Sequence, residues 1–276
     1  MEERDLLFKP VINSDPRVLT SSQIDSYNEN GYIMPIDIYD SNEATCNREY
    51  FDMLLRKMSE LKDGRDTYAI NGYHTRCRGI WDIVTNPRIL NYVEDLIGPN
   101  VVAWGTHFFC KQPLDPKHVP WHQDASYWPF TPARTVTVWL AIDDADSDNA
   151  AMQFIPGTHK LGPLDWKETN RPAVLNQEIA NIDSLGDPVW DELRAGQISL
   201  HADMLAHGST SNPSNRRRCG LTIRYCPPDV TSLDKSWSSQ SVICRGEDST
   251  RTWANTPRPD GEDLSLLNKP KSIGAN

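Results

Sequence analysis

A chain of 276 residues with 38 acidic against 28 basic side chains, net charge −10, makes a poor partner for nucleic acid or for an anionic membrane surface. No stretch reaches the roughly 18 apolar residues of a membrane span, and Met-Glu-Glu-Arg-Asp at the N-terminus is too charged to lead into a signal peptide. The six cysteines are scattered without a CxxC pair, which suits reduced thiols in a cytoplasmic protein and gives neither a zinc site nor a disulfide framework.

The first third predicts helices. Thr20 and Gln23 form a capping box ahead of Ile24 and Tyr27, with a stop at Asn30-Gly31. A second helix is predicted over 43–62, with Phe51, Leu54, Leu55, Met58 and Leu61 on one face. A third opens at Asn86-Pro87 and closes at Gly98-Pro99. From residue 100 the pattern changes to strands, predicted over 101–111, 121–124, 134–142, 152–155, 197–201 and 217–225, separated by Pro, Gly, Asp and Asn clusters. Helices followed by short strands predict an α+β fold in which N-terminal helices pack on an antiparallel double sheet. The division expected is one domain over 1–276: helical support to 99, sheet core over 100–230 and a C-terminal extension over 231–276. Residues 162–195 read as a long polar excursion of the kind that walls or covers a pocket. The segment after Pro227 has no clear pattern.

Trp121-His122-Gln123-Asp124 is the sharpest local feature. On a strand, residues i and i+2 share a face, so the imidazole and the carboxylate converge. Two imidazoles and one carboxylate on one triangular face suit Fe(II) and leave the opposite face open for a cosubstrate and O2. His207, in Ala206-His207-Gly208-Ser209, is the candidate for the second imidazole; His201-Ala202-Asp203 competes with it. Arg218 follows His207 by eleven residues, and a guanidinium there suits a dicarboxylate whose other end chelates iron. Arg218, Gly220, Thr222 and Arg224 fall on one face of their predicted strand, Cys219, Leu221, Ile223 and Tyr225 on the other, which is the pattern of a wall around a wet cavity. His159 reads as a turn residue and His118 as a solvated one. The run Arg216-Arg217-Arg218 is not a nucleic-acid patch, because strand alternation splits it between faces.

These residues carry a resemblance to the phytanoyl-CoA dioxygenase (PhyH) family, in particular its bacterial small-molecule members. The matching text is Gly98-Pro99-Asn100, the run from Val119 to Phe130, Val138-Trp139-Leu140-Ala141-Ile142, Phe154 to Lys160, His207-Gly208-Ser209, Asn212 and Arg216 to Tyr225, in register over roughly residues 15–230. The resemblance implies a double-stranded β-helix (jelly-roll, cupin-like) core and a non-haem iron hydroxylase that converts 2-oxoglutarate and O2 to succinate and CO2. It implies His122, Asp124 and His207 as metal ligands, Arg218 and Ser209 at the distal carboxylate of 2-oxoglutarate, and Trp139 as a wall of that pocket. A carboxylate at 124, where related halogenases have a small residue, favours hydroxylation. The polar segment holding Asn71, His74 and Arg76 reads either as a solvated loop or as the mouth of the site. In the second reading Asn71 and His74 contact cosubstrate or substrate and Arg76 attracts an anionic group; Lys111 either reaches the same group or is a solvated strand end. Trp128 is assigned to the pocket rather than to the core.

The function expected is hydroxylation of a small molecule, an anionic one included, such as an organophosphonate, an amino-acid derivative or a secondary metabolite. A non-catalytic cupin-like metal or metabolite sensor is the alternative, and a zinc hydrolase on the same ligands a third reading. Neither nucleic acid nor membrane is expected as a partner, and the sequence leaves a homo-oligomer open.

Overall fold

In a computed structural model, residues 4–267 are described. The helices are α1 (Ser21–Asn30), α2 (Ser41–Glu60), α3 (Arg78–Val84), α4 (Pro87–Ile97) and α5 (Lys235–Ser238). A six-stranded sheet runs in the order β1 (Tyr32–Asp37), β10 (Gln197–Ala202), β5 (Val136–Ala141), β12 (Arg218–Cys226), β2 (Val101–Lys111), β14 (Val242–Arg245). A four-stranded sheet runs β3 (Val119–His122), β11 (His207–Ser209), β6 (Met152–Phe154), β9 (Val189–Asp191). Two small pairs join β4 (Phe130–Thr131) to β13 (Thr231–Ser232) and β7 (Trp166–Glu168) to β8 (Gln177–Ile179). All these pairings are antiparallel, and the two larger sheets form the expected jelly-roll core.

The N-terminal helices cover the outer face of the larger sheet. Phe51 of α2 stacks on Phe108 of β2 at 4.6 Å, and the Tyr225 hydroxyl donates to the Val84 carbonyl of α3 at 2.8 Å. Leu221, Ile223 and Tyr225 of β12 are wholly buried in this layer, so β12 presents its apolar set to the helices and its polar set to the interior. Every residue of β2 and β5 is buried, as expected of strands covered on both faces. No helix among the described residues is long and apolar enough to cross a membrane.

The α1 capping box forms as read, with Thr20 accepting from the Gln23 amide and Gly31 closing the helix at φ 88°. The second helix starts earlier than 43, because Asp40 caps it in a reciprocal box with Glu43. Two elements were not foreseen. Strand β1 contains Pro35 and a register break between Ile33 and Ile36, which its place at the sheet edge tolerates. Helix α3 occupies the stretch after Cys77, to which the sequence pattern assigns no element. The C-terminal segment is no appendage to the sheet: β14 pairs with β2 and extends it.

Candidate active site

Strands β3 and β11 are neighbours in the smaller sheet, and their register sets His207 opposite His122. Each imidazole is oriented by its own strand. His122 Nδ1–H donates to the Pro120 carbonyl at 2.8 Å and His207 Nδ1–H to the Leu205 carbonyl at 2.9 Å, which leaves both Nε2 atoms as lone-pair donors. Asp124 is not on the strand, which stops at His122; it opens a single 3₁₀ turn, Asp124–Ser126. That turn is clamped on both sides. Gln123 donates to the Met204 and Gly162 carbonyls and accepts from the Leu164 amide, and the Ala125 amide donates to the Asp203 carbonyl at 2.9 Å. Thr137 Oγ1 on β5 donates to Asp124 Oδ2 at 3.1 Å.

The outcome is a compact buried group. Asp124 Oδ1 lies 3.6 Å from His122 Nε2 and 4.0 Å from His207 Nε2, and one donor atom from each of the three side chains falls within 4.8 Å of the others. Burial alone would raise the Asp124 carboxyl, but the adjoining His122, His201 and His207 and the Arg224 charge outweigh it and hold it well below the usual range. Burial, reinforced by His122 and His201, depresses His207 and keeps it neutral. Two imidazoles and one carboxylate are the donor set that Fe(II) takes as a three-point face, so the residues fit that ion. His201 is close but differently placed. Its Nε2 is 3.8 Å from the other carboxylate oxygen and neither ring nitrogen has a hydrogen-bond partner. Asp203 faces away, accepting from the Thr135 amide.

Arg218, 2% exposed, lines the same small pocket as His122, Asp124 and His207. Its Nε donates to the Ala150 carbonyl at 2.9 Å and an Nη to Ser209 Oγ at 3.0 Å, while the guanidinium lies 5.8 Å from the Trp139 ring centre. A β-carbon at Gly220 would overlap the Trp139 indole. Gly220→Ala is therefore expected to displace Trp139 from the pocket and raise the KM for 2-oxoglutarate roughly tenfold, since overpacking costs about 1–3 kcal/mol. An unchanged KM in succinate-release kinetics would remove Trp139 from that wall.

A larger cavity of about 450 Å³ opens beside the cluster, with His122 and Asp124 among its lining residues. Asn71, His74 and Trp128 line it, as do three groups not singled out from the sequence: Trp104 on β2, Val174 to Asn176 from the polar excursion, and Trp237, Gln240 and Leu267 from the C-terminal segment. His74 is buried and bonded through Nε2 to the Gln240 carbonyl at 2.9 Å; burial pushes it down to about 4, so it is neutral. Two expected contacts fall elsewhere. Arg76 points outward into an ion pair with Asp263 and a hydrogen bond to Ser265. Lys111 is wholly buried, its amine donating to the Lys117 and Thr210 carbonyls, and it lines neither the cavity nor the Arg218 pocket.

Burial, with the Arg218 charge alongside and Asp115 opposing, pushes Lys111 down to about 6 from 10.5. The unfolded chain then binds the extra proton between those values, so stability rises with pH across that window. Lys111→Met removes this dependence. The stability of the parent relative to Lys111→Met should increase by up to about 1.4 kcal/mol per pH unit between pH 7 and 9. Parallel urea midpoints at every pH would show that the amine stays charged in the fold.

The phytanoyl-CoA dioxygenase (PhyH) family model matches residues 27–220. The peroxisomal phytanoyl-CoA dioxygenase of Rattus norvegicus is 28% identical over 256 residues, spanning 84% of this chain and 75% of its own. A probable alpha-ketoglutarate-dependent hypophosphite dioxygenase of Stutzerimonas stutzeri is 28% identical over 181 residues, 63% of each chain. Among solved structures, the non-heme monooxygenase ThoJ in its apo form superposes with a TM-score of 0.75 at 26% identity, covering 86% of this chain and 88% of that one.

Proposed function

Because this chain belongs to the phytanoyl-CoA dioxygenase (PhyH) family of Fe(II)- and 2-oxoglutarate-dependent dioxygenases, we propose that it hydroxylates a small organic molecule, with iron on His122, Asp124 and His207. One observation supports this above the rest: three buried donor atoms lie within 4.8 Å of one another, and Arg218 lines the same pocket. Bound together, Fe(II), 2-oxoglutarate and O2 supply the oxidising power, the cosubstrate leaving as succinate and CO2 while one oxygen atom enters the substrate.

The protein's part is placement. The carbonyls of Pro120 and Leu205 fix the tautomers that aim both Nε2 atoms inward. Arg218 presents a guanidinium already oriented by Ala150 and Ser209, so a carboxylate meets it without reorganisation. Trp139 walls this pocket, and the adjoining 450 Å³ cavity takes the substrate. Asn71, His74 and Trp128 then belong to the substrate side.

Anaerobic titration with Fe(II), followed by succinate release from 2-oxoglutarate in air, tests the reading. One equivalent of iron and O2-dependent succinate are expected. Iron uptake with no succinate from any substrate would make the protein a sensor, and turnover on Zn(II) without O2 would make it a hydrolase.

A further inference from the structure

We propose that Arg224 is the substrate anchor, holding a single negative charge, a carboxylate or sulfonate, on a compact molecule with a flat apolar body. The proposal rests on the dioxygenase reading above and supplies its substrate class.

Arg224 comes six residues after Arg218 on the inward face of β12, level with Gly105 on one neighbouring strand and Thr137 on the other. Thr137 bonds Asp124, so this level of the barrel is the level of the metal cluster. Arg224 lines both the cavity and the Arg218 pocket. Its guanidinium lies 5.1 Å from the Trp128 ring centre and 5.7 Å from that of Trp104. Those contacts orient the plane and offer no acceptor for its N–H groups.

The other arginines of this stretch have hydrogen-bonding or ion-pair partners in the protein. Arg216 pairs with Asp146, Arg217 with Asp143 and Asp52, and Arg218 donates to Ala150 and Ser209. Arg224 is the exception. Its Nε is buried without a partner, and no carboxylate among the described residues lies within ion-pair distance of it. A guanidinium has five donors, and one held at the base of a cavity without an acceptor is costly unless a ligand supplies it. Asp124 is the nearby acid, and its oxygens are committed to the metal cluster and Thr137.

The cavity's charge inventory sets the valence of that ligand. His74 is neutral, Asp124 and His122 belong to the metal cluster, and no lysine lines the space, so beside the His107 imidazole Arg224 is the permanent cation among the described lining residues. One cation matches one negative charge. A dianionic phosphate, or the several phosphates of a coenzyme A thioester, would leave charge unpaired in a partly apolar site. The amides of Asn71, Asn176 and Gln240 add hydrogen bonds without charge, and the indoles of Trp104, Trp128 and Trp237 favour a flat ring as the apolar body.

The test uses the Fe(II)- and 2-oxoglutarate-loaded enzyme without O2, with binding followed by tryptophan fluorescence. The probes are 3-phenylpropionate, indole-3-acetate and benzenesulfonate, each with its neutral amide, plus 3-phenylpropionyl-CoA. The parent should bind the acids about 10–100-fold more tightly than the amides, the worth of a hydrogen bond to a charged group. Arg224→Gln should bring that ratio to about one, and Arg224→Lys, which keeps the charge and loses the fork, should retain part of it. If Arg224→Gln fails to fold, a reduced acid-to-amide ratio in Arg224→Lys still supports the anchor, and an unreduced one overturns it.

Equal binding of acid and amide by the parent overturns the proposal, as does tighter binding of the CoA thioester or of no acid at all. So does an Arg224→Gln enzyme that binds 2-oxoglutarate more weakly at an unaltered acid-to-amide ratio, which assigns the guanidinium to the cosubstrate. In each of these cases, succinate formed slowly from 2-oxoglutarate without substrate leaves the dioxygenase reading intact. No succinate under any condition sinks that reading itself.

Discussion

Asp124→Ala should lose succinate formation by about a thousandfold or more while remaining folded. Asp124 contributes the one negatively charged donor of the cluster, and the imidazoles of His122, His201 and His207 surround it. Losing even an outer-sphere partner of a metal ligand costs about 10–100-fold in affinity or activity, and losing a ligand costs more. The fold should survive, because removing a buried carboxylate also removes its desolvation cost, and the turn keeps the Gln123 clamp and the Ala125–Asp203 bond. The checks are anaerobic iron content, succinate yield and a circular dichroism spectrum matching the parent. Full iron occupancy with normal turnover would remove Asp124 from the coordination shell, and His201 would become the first residue to examine in its place.

The second large effect belongs to Arg218. Removing one partner of a buried, hydrogen-bonded charge pair costs about 2–5 kcal/mol, so Arg218→Met should raise the KM for 2-oxoglutarate by about 10²–10³-fold. Arg218→Lys should recover little of this. An ammonium cannot present the planar fork that Ala150 and Ser209 pre-orient. Ser209→Ala loses one bond to a charged group and should cost roughly tenfold. The ordering Met, then Lys, then Ser209→Ala is itself the prediction. A KM unmoved by Arg218→Met, in a variant of normal stability, would place the cosubstrate's distal carboxylate elsewhere.

Much of this was legible from local pattern, and the misses share a cause. The alternation in β12 announced one apolar and one polar face, and those faces meet the helices and the interior as read. Capping boxes located α1 well, because both partners lie within one turn of chain. His122 and Asp124 could be paired by proximity. His207 needed the distant His-Gly-Ser text, since only sheet pairing sets it against His122. Arg76 misled because its partner, Asp263, lies 187 residues further on in a segment with no periodic pattern. Lys111 misled for a related reason: a residue at a strand end is read as solvated, yet two carbonyls from separate loops enclose it. Trp237 and Gln240 carry no local signal of their place in the cavity wall. Arg224 did carry one, as the last member of the inward-facing set, but only the lack of any acceptor around it gives the position meaning.

Strand β14 has a practical consequence for anyone shortening this protein. The family match stops at residue 220, which invites trimming the chain soon after β12. Such a cut would uncover β2 at its first residues, Val101 to Ala103, where β14 pairs with it, and would leave backbone N–H and C=O groups of a buried strand end without partners, the sort of bare margin that recruits a second chain and aggregates. The same cut would take away Trp237, Gln240 and Leu267 and leave the cavity without one side. The margin of the larger sheet and one wall of the cavity are thus tied to a single stretch of polypeptide that looks dispensable when read as letters.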